Sequence, residues 1–507
     1  MPFLMGIDNG GTFVKAGIMD ETGRIIAVAK APVRNVSPEA GYTERDMDDL
    51  WAQNARVIRS AVERSGIDPQ EIKGVSFSGH GKGLYLVGMD GRPAYRGILS
   101  TDTRAWEYVK KWEDDGTKKK VFEKTYQDVL VSQPVSLLAW LRDHERSVIE
   151  NTQWIFSVND YIRFRLTGSA CGEFTVFSGG NLINMNTFQY DRELMGLFGL
   201  EELFEKLPPL KRSADLCGSV TGEAAGETGL LAGTPVAAGM FDVDACGLAA
   251  GLDNEDALCM IAGTWSINEY ITKAPITNGT VALNSMYCIP GYFLIEESSP
   301  TSAGNMEWFI DNLLSCEKEA AERNGASIYE LTNRWVEETD PEGMNVVFLP
   351  FLNGSGEDAR ATGVFAGLTG FNTKAHMLRA VYEGIVFSHM THVRRLLQNR
   401  PAPGAVRLTG GAARSKVWVQ IFADALQLPV ETVVCEEQGI MGAAIAAGVG
   451  TGVFSGYEEA SRSTVKVREV VYPRPEYRRI YEKKYDCYRT LIDGLSGIWG
   501  KIGQAKE

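Results

Sequence analysis

Two hairpin-like segments, one at the start of the chain and one near its middle, share the same plan. The first is GIDNGGTFVKAGIMDETG, residues 6–23, and the second is ALCMIAGTWSINEYIT, residues 257–272. In each, an apolar run of strand length reaches a Gly-Thr pair, and a second run follows at once, which is typical of a β-hairpin. A repeated unit of this kind indicates a duplicated domain. We therefore expect two halves of similar design.

Strand and helix patterns alternate after each hairpin, which predicts the α/β class. The predicted helices are residues 46–62, 415–426 and 442–449, and the strands among them are residues 72–78, 405–409 and 429–434.

The length of 507 residues exceeds what a single core usually supports. A turn-forming stretch, GLAAGLDN, marks the boundary between the halves. We expect an N-terminal domain at residues 1–247, a C-terminal domain at 256–452, and a partly helical extension at 453–507 packed on the C-terminal domain.

Composition excludes several classes of partner. The chain has 51 Lys and Arg against 65 Asp and Glu, a net charge of -14, so it lacks the basic surplus that nucleic acids or anionic membranes attract. We expect no transmembrane helix and no signal peptide, because the sequence shows no apolar run of transmembrane length and its first residues lack a basic region followed by an apolar run. The 8 cysteines form no CxxC pair, which favours reduced thiols over disulfides or zinc. These features predict a cytoplasmic protein.

The first hairpin has the composition of a phosphate-binding turn. Gly10 and Gly11 would let backbone N–H groups converge on an anion. Asp8 would face a metal ion, Thr12 would add a hydroxyl, and Lys15 would add a cation. The segment is not a P-loop, because the chain runs from strand to strand. The alternative is a plain type I′ turn with an incidental aspartate.

The second hairpin strengthens the phosphate interpretation. Gly263 and Thr264 match Gly11 and Thr12, so two such turns could hold adjacent phosphates of one nucleotide. Met260 stands where the first copy has its aspartate, so only one half would offer a metal-facing carboxylate.

A third glycine pair, Gly410-Gly411, lies between a predicted strand and the helix that begins near Ser415. A glycine backbone can approach a flat ring closely, and a helix N-terminus offers free N–H donors, which suits an adenine or a ribose. A tight strand-to-helix connection is the alternative.

The candidate general base lies in AGMFDVDACG. Asp242 follows a predicted strand and opens a helix, whose dipole favours the ionised carboxylate. Such a group could accept the proton of an alcohol that attacks phosphorus. An N-cap is the alternative role, and spacing alone does not choose between Asp242 and Asp244.

Three of the five histidines are candidates for a ligand site. His80, in the segment SGHGKG directly after a strand, suits a polyol ligand or belongs to a flexible loop. His389 and His392 lie three residues apart on a predicted helix. They could bind a metal together, or they could belong to a packed or solvated face of the helix.

These motifs, in this order, resemble the FGGY family of carbohydrate kinases over most of the chain. GIDNGGTFVKAGIMD and MIAGTWS resemble its two phosphate motifs, RLTGGAARSKVWVQIFAD resembles its adenosine motif, and AGMFDVDACG resembles the stretch that carries its catalytic aspartate. The resemblance implies two duplicated actin/hexokinase-like (ribonuclease H-like) ATPase domains around a nucleotide cleft. It also implies ATP and Mg²⁺ as cofactors, and its register favours Asp242 over Asp244.

The family implies a role for each matching position. Asp242 would be catalytic, and Asp8 and Asp242 would face Mg²⁺. The sugar would meet His80, Lys82, Asp102 and Arg104. The nucleotide would meet Asp8, Gly10, Gly11, Thr12, Lys15, Gly263, Thr264, Gly304, Gly410, Gly411 and Ser415.

Departures from the family pattern bear on the substrate. Leu137 stands where the family usually has a lysine, and the Arg-Glu pair of glycerol kinases is missing, which disfavours glycerol. The segments HGKGL, GYTERDMDDLW and SPTSAGNMEWF look most like the L-xylulose kinase branch. The expected reaction is phosphorylation of L-xylulose to L-xylulose 5-phosphate, with D-xylulose, L-ribulose or a sugar alcohol such as erythritol as alternatives.

A rival from another class is an actin-like ATPase without sugar kinase activity. The segments around His80 and Asp242 favour the kinase. The family also implies a homodimer, and the expected partners include a small-molecule sugar but no nucleic acid and no membrane.

Overall fold

The computed structural model describes residues 1–343, 345–358 and 360–504. The chain divides into two compact units, each assembled from separate stretches of sequence. Unit 1 comprises Met1–Asp253, Ile271–Ile295 and Cys435–Val465, and unit 2 comprises Asn254–Tyr270, Glu296–Val434 and Lys466–Glu507. Each unit contains a large mixed sheet and helices, so the predicted α/β class is confirmed.

The sheet of unit 1 begins as a meander and continues with parallel strands. Its strands are β1 (Phe3–Asn9), β2 (Phe13–Asp20), β3 (Ile25–Pro32), β4 (Ile72–Gly79), β5 (Leu216–Ser219), β6 (Pro235–Ala237) and β7 (Met240–Phe241). β1 and β2 form the predicted hairpin, and β2 pairs antiparallel with β3. β4 runs parallel to β1, and both β6 and β7 run parallel to β4.

Helices cover both faces of this sheet. The helix Met47–Ser65 buries its apolar side chains in one core with Ile7 and Ala16. The helix Gln438–Gly450 lies on the opposite face, because Gly6, next to Ile7 in the strand, points at it. Strands covered on both faces are buried along most of their length, as β1 and β4 are.

The helix Gln438–Gly450 approaches the sheet so closely that glycine is required there. A Cβ atom at Gly6 would lie 2.0 Å from the carbonyl oxygen of Ile440. A Cβ at Gly442 would lie 2.3 Å from the carbonyl oxygen of Ala245, in the helix Asp242–Ala249. The small-residue sequence of this helix therefore reflects backbone-to-backbone packing.

Shorter elements complete unit 1. Its other helices are Trp106–Asp114, Thr117–Thr125, Pro134–His144, Arg146–Asn151, Val158–Thr167, Phe174–Gly179, Arg192–Leu197, Gly222–Thr228 and Tyr457–Thr464. Its short strands are Asn35–Val36, Glu44–Arg45, Tyr85–Gly88, Gly97–Ile98, Thr152–Phe156, Gly172–Glu173, Ile183–Asn184, Gln189–Tyr190, Leu210–Lys211 and Leu283–Met286.

Unit 2 repeats the hairpin and parallel-strand design. The strands are β8 (Leu258–Ala262), β9 (Ser266–Thr272), β10 (Val406–Gly410), β11 (Val430–Val433) and β12 (Val467–Val471). β8 and β9 form the second predicted hairpin, β10 runs parallel to β8, and β11 runs parallel to β10. The antiparallel strand β12 follows β11 in the spatial order.

Several helices of unit 2, including Ile328–Glu337 and Lys416–Leu426, pack against the long helix Lys374–Leu396, most of which is buried. The α-helices of unit 2 other than this long one are Gly304–Leu313, Ser315–Arg323, Ile328–Glu337, Lys416–Leu426, Arg478–Leu495 and Trp499–Gln504. Two short strands, Val347–Leu349 and Val364–Ala366, pair with each other, and the chain also forms the strand Phe293–Ser299.

A search for membrane-spanning helices, made over the described ranges, finds none with the necessary length and apolar character.

Replacing Gly442 by alanine tests the close helix packing. The added methyl would strike the Ala245 carbonyl, so we expect the free energy of unfolding to fall by about 2–3 kcal/mol in urea denaturation. Gly226, in the exposed part of the helix Gly222–Thr228, is a matched control, because the position that a Cβ would take there has no atom within 4 Å. Gly226→Ala should gain up to about 1 kcal/mol from helix propensity. Equal urea midpoints for the two variants would contradict the packing argument.

Candidate functional site

Three parallel strands of unit 1 end at the same level of the sheet. Asn9 of β1 pairs with Gly79 of β4, and Gly79 pairs with Phe241 of β7. The chain therefore leaves the sheet side by side at three points. The residues that follow are Gly10, His80 and Asp242.

The first turn directs its carbonyl groups into the protein. Arg45 donates from Nη1 to the Gly10 oxygen (3.4 Å) and from Nη2 to the Gly11 oxygen (2.9 Å). The Thr12 oxygen accepts from the Val33 N–H at 2.9 Å. Neither glycine has a φ in the left-handed region, so the turn is not of type I′. Across the described part of the chain, no acceptor engages the N–H of Gly11 or Thr12, which leaves both as donors for an anion.

Asp8 and Lys15 face each other across the β1–β2 pair, and each has a further partner. Ser78 donates to Asp8 Oδ1 at 2.8 Å. Burial raises the pKa of Asp8, although Lys15 and Ser78 oppose this rise. Lys15 Nζ lies 2.6 Å from Glu437 Oε2. Burial alone would lower the pKa of Lys15, but the hydrogen bond and charge of Glu437 outweigh it and raise that pKa.

His80 is a buried, neutral side chain directly after β4. Its Nε2 lies 3.1 Å from the hydroxyl of Tyr85. Burial, followed by the positive charge of Arg45, lowers the pKa of His80 to about 3. A Cβ at the next residue, Gly81, would lie 2.4 Å from the ring of Phe241, so this segment packs directly against the residue before Asp242.

Lys82 is half-buried and has a φ of 66°. A non-glycine residue in the left-handed region stores strain, which is common at functional sites. Within the described residues its ammonium group forms no ion pair, so it remains available to a ligand.

Asp102 and Arg104 form a buried ion pair. Asp102 accepts from the Thr43 N–H at 2.7 Å and from Arg104 Nε at 2.9 Å. Arg104 Nη2 also donates to Glu44 Oε1 at 2.8 Å. Arg104 Nη1 is buried and has no acceptor among the described residues. Arg104 therefore retains a donor, whereas both oxygens of Asp102 are engaged.

The structure separates the two aspartates that spacing could not distinguish. Asp244 is fully buried, and its Oδ1 accepts from the Cys288 N–H at 2.8 Å. Asp242 is half-buried and is the first residue of its helix, while Phe241 occupies the N-cap position. The N-cap interpretation of Asp242 is therefore wrong, and Asp242 remains the candidate base.

A buried network behind Asp242 was missed by the sequence analysis. The Phe241 N–H donates to Thr175 Oγ1 at 2.9 Å, and that hydroxyl donates to Glu173 Oε2 at 2.6 Å. Burial raises the pKa of Glu173 to about 7. Arg45 was also missed. The sequence analysis used its segment, GYTERDMDDLW, only for the family resemblance. The contact of Arg45 with the turn at Gly10 and Gly11 could not be predicted, because the two are more than thirty residues apart.

In unit 2 the second and third predicted glycine features lie together, and Gly304 lies beside the second. Ala262 pairs with Gly410, so Gly263 and Gly411 leave neighbouring strands at one edge. Gly410 has a φ of 84°, and a Cβ there would lie 2.5 Å from the Ala262 oxygen. A Cβ at Gly304 would lie 3.2 Å from the Cγ2 atom of Thr264.

Ser415 and the paired histidines have structural partners. Ser415 caps the helix Lys416–Leu426 by accepting from the Trp418 N–H, and it donates to Asn333 Oδ1 at 2.7 Å. His389 and His392 are buried in a hydrogen-bonded network on Asn268. Burial lowers the pKa of both. No cluster with metal-ligating composition occurs within residues 1–343, 345–358 and 360–504, which favours the packed-helix interpretation of this pair.

Comparison with known proteins assigns the family. Residues 3–249 match the N-terminal domain and residues 258–451 the C-terminal domain of the FGGY family of carbohydrate kinases. The chain belongs to this family. This FGGY kinase is 38% identical over 502 residues to the L-xylulose/3-keto-L-gulonate kinase of Escherichia coli (strain K12), covering 99% of this chain and 98% of that protein. It is also 38% identical over 499 residues to a probable L-xylulose kinase of Pasteurella multocida (strain Pm70), covering 98% and 100%.

Solved structures agree on the fold of this FGGY kinase. The ligand-bound xylulose kinase of Lactobacillus acidophilus superposes with a TM-score of 0.89 at 23% identity, covering 99% of this chain and 100% of that one. The xylulose kinase of Rhodospirillum rubrum gives 0.86 at 24% identity, covering 98% and 100%. The expected duplicated actin/hexokinase-like fold is confirmed.

The family also decides between a sugar kinase and an actin-like ATPase without sugar kinase activity. The protein is a carbohydrate kinase that uses ATP and a small-molecule sugar.

The buried histidines predict a pH dependence of stability. Since the folded-state pKa of His80 is about 3, below the ordinary value, the unfolded chain takes up the proton first as pH falls. Stability should therefore fall below about pH 6.5, by up to about 1.4 kcal/mol per pH unit for this group. Urea unfolding between pH 7 and about pH 4.5 should show a shallower decline for His80→Gln than for the wild type.

His392→Gln provides a second test in unit 2, because the pKa of His392 is lowered to about 4. The stability of this variant should also fall less steeply with decreasing pH than that of the wild type. Parallel curves for all three proteins would contradict the assignment of neutral, buried imidazoles.

Proposed function

We propose that this FGGY kinase transfers the terminal phosphoryl group of ATP to the terminal hydroxyl of L-xylulose, giving L-xylulose 5-phosphate. The observation that carries the proposal is the 38% identity, over nearly the whole chain, to two proteins named for L-xylulose. D-xylulose, L-ribulose and a sugar alcohol such as erythritol are the alternatives within the same reaction class.

A second acceptor is 3-keto-L-gulonate, which the name of the Escherichia coli relative includes. This compound carries a carboxylate that L-xylulose lacks. Lys82 forms no ion pair among the described residues, so its ammonium group could pair with that carboxylate. This availability favours 3-keto-L-gulonate as a second acceptor. Arg104 is less suited, because Asp102 and Glu44 already neutralise its charge.

We assign the substrate and catalytic groups to residues 1–247 and the adenosine groups to residues 256–452. In the second domain, Gly263 and Thr264 would contact nucleotide phosphates. The residues assigned to the adenosine are Gly304, Gly410, Gly411 and Ser415.

The first turn would hold the terminal phosphate of ATP. The N–H groups of Gly11 and Thr12 would donate to its oxygens, while the inward carbonyl groups keep the turn rigid. Lys15 would organise the turn through Glu437 and would contribute less as a direct phosphate ligand. Such preorganised donors stabilise the charge of the transferred phosphoryl group.

Asp242 would accept the proton of the attacking hydroxyl. The start of a helix favours its ionised form, and its position beside His80 at the sheet edge brings it near the sugar-binding segment. On the sugar, His80 Nδ1 and Arg104 Nη1 would be the polar contacts, because both are buried without a protein partner in the described residues. Most of the rate would come from alignment of the hydroxyl with the phosphorus.

The carboxylates of Asp8 and Asp242 fit Mg²⁺, which prefers hard oxygen ligands and retains several waters. Ser78 engages Oδ1 of Asp8 only. Mg²⁺, when bound, supplies positive charge to the phosphate oxygens. We also propose that the enzyme works in the cytoplasm, where ATP is available and free thiols persist, and that it forms the homodimer expected from its family.

Asp242→Asn tests the base. The variant should bind ATP and sugar with near-normal affinity by calorimetry but lose at least about 10³-fold in kcat, since the amide cannot accept the proton. Asp244→Asn is the matched control, because its amide oxygen can still accept from the Cys288 N–H. It should lose far less kcat. A near-normal kcat for Asp242→Asn would remove this residue from the mechanism.

A substrate panel tests the acceptor. We expect kcat/KM for L-xylulose to exceed that for D-xylulose, L-ribulose, erythritol and glycerol by at least about 10-fold in a coupled ADP-release assay. 3-Keto-L-gulonate should also be phosphorylated, and Lys82→Met should raise its KM while leaving the KM of L-xylulose nearly unchanged. If the enzyme prefers another sugar, the proposal of L-xylulose as the substrate is wrong, while the reaction class stays the same.

A further inference from the structure

Arg45 differs from the other buried arginines of the protein. Its side chain is fully buried, yet within the described residues it forms no ion pair with a carboxylate. The carboxylates next to it in sequence have other partners: Glu44 binds Arg104, and Asp46 caps the helix Met47–Ser65. The other buried arginines, each ion-paired to a carboxylate, are Arg104, Arg163 and Arg379.

Burying a cation without a counterion is unfavourable, even when hydrogen bonds are present. Arg45 offsets part of this cost through the oxygens of Gly10 and Gly11, and its Nε has no acceptor among the described residues. All of its hydrogen bonds therefore go to one turn. The positive charge of Arg45 therefore lies beside this turn.

The geometry of the peptide bond shows what this charge can do. In a trans peptide the N–H points opposite to the C=O. Because the carbonyls of Gly10 and Gly11 point at Arg45, the N–H groups of Gly11 and Thr12 point away from it. The guanidinium thus lies at the oxygen ends of two peptide dipoles, whose hydrogen ends are the free donors of the turn.

We propose that Arg45 is a positioning residue that supplies positive charge behind the turn. This charge strengthens the hydrogen bonds that the N–H groups of Gly11 and Thr12 donate to the terminal phosphate of the nucleotide. Arg45 acts through the two peptide groups and does not touch the phosphate. This inference rests on the phosphate role proposed above for Gly11 and Thr12. After burial, the positive charge of Arg45 is the second cause that lowers the pKa of His80, the residue that follows β4.

Asn35 provides a matched control. Its amide Nδ2 donates to the Gly11 oxygen at 2.9 Å, as Arg45 does, but it is neutral and exposed. Asn35→Ala therefore removes a hydrogen bond to the turn without removing a charge. Arg45→Lys keeps the charge, Arg45→Gln keeps a donor only, and Arg45→Met keeps neither.

The test measures the affinity of each purified full-length variant for AMP-PNP with Mg²⁺ and for AMP, by calorimetry without sugar. Arg45→Met and Arg45→Gln should bind AMP-PNP about 10- to 100-fold more weakly than the wild type, yet AMP within about 2-fold. Arg45→Lys should lose less than Arg45→Gln, and Asn35→Ala should stay within about 3-fold. If Arg45→Met does not fold, the comparison of Arg45→Lys with Arg45→Gln carries the test.

Equal losses for AMP and AMP-PNP, or equal losses in Arg45→Lys and Arg45→Gln, would overturn the proposal. Either result would make Arg45 a purely structural residue. Failure of the proposed function gives a different result. A wild type that binds AMP-PNP but phosphorylates neither L-xylulose nor the other sugars of the panel would refute the proposed substrate and leave the result for Arg45 valid.

Discussion

The pairing of β4 with β1 on one side and with β7 on the other is the constraint on which the candidate site depends. Hydrogen bonds along these parallel strands hold Asn9, Gly79 and Phe241 in one row. The turn that begins at Gly10, the segment that begins at His80 and the candidate base Asp242 each follow one residue later. A slip of one residue in either pairing would turn alternate side chains to the other face of the sheet and separate these groups. The buried faces of β1 and β4 fix the register.

The sequence predicted the parts of this arrangement that depend on neighbouring residues. The hairpins, the helix after residue 46 and the strand at Ile72–Gly79 follow from apolar periodicity, and the glycine pairs follow from tight turns. Partners distant in sequence could not be predicted. Arg45 reaches the first turn from a two-residue strand, and Glu173 reaches Phe241 through Thr175. No periodicity records such contacts, because each depends on how separate segments meet after folding.

Burial explains why several candidate residues serve roles that their chemistry alone does not indicate. Asp102, which stays a predicted sugar ligand, already accepts from the Thr43 N–H and from Arg104 with its two oxygens. Ser415 caps a helix, and the His389–His392 pair joins a network on Asn268. In each case a polar group removed from water has found a partner within the folded chain. The groups left with donors or with free charge, such as Arg104 and Lys82, are the better candidates for ligand contact.

The ion pair between Lys15 and Glu437 joins residues that are 422 positions apart. A ribosome builds the first hairpin early, but it adds Glu437 and the helix behind Asp8 only when most of the chain has emerged. The contact of Lys15 with Glu437, next to the first turn, can therefore form only when synthesis of the chain is nearly complete. During that interval the uncovered face of the first sheet is exposed, which makes nascent chains of this protein candidates for chaperone binding. Fragments that stop before residue 435 should lack a finished first unit, even though they contain most of its residues.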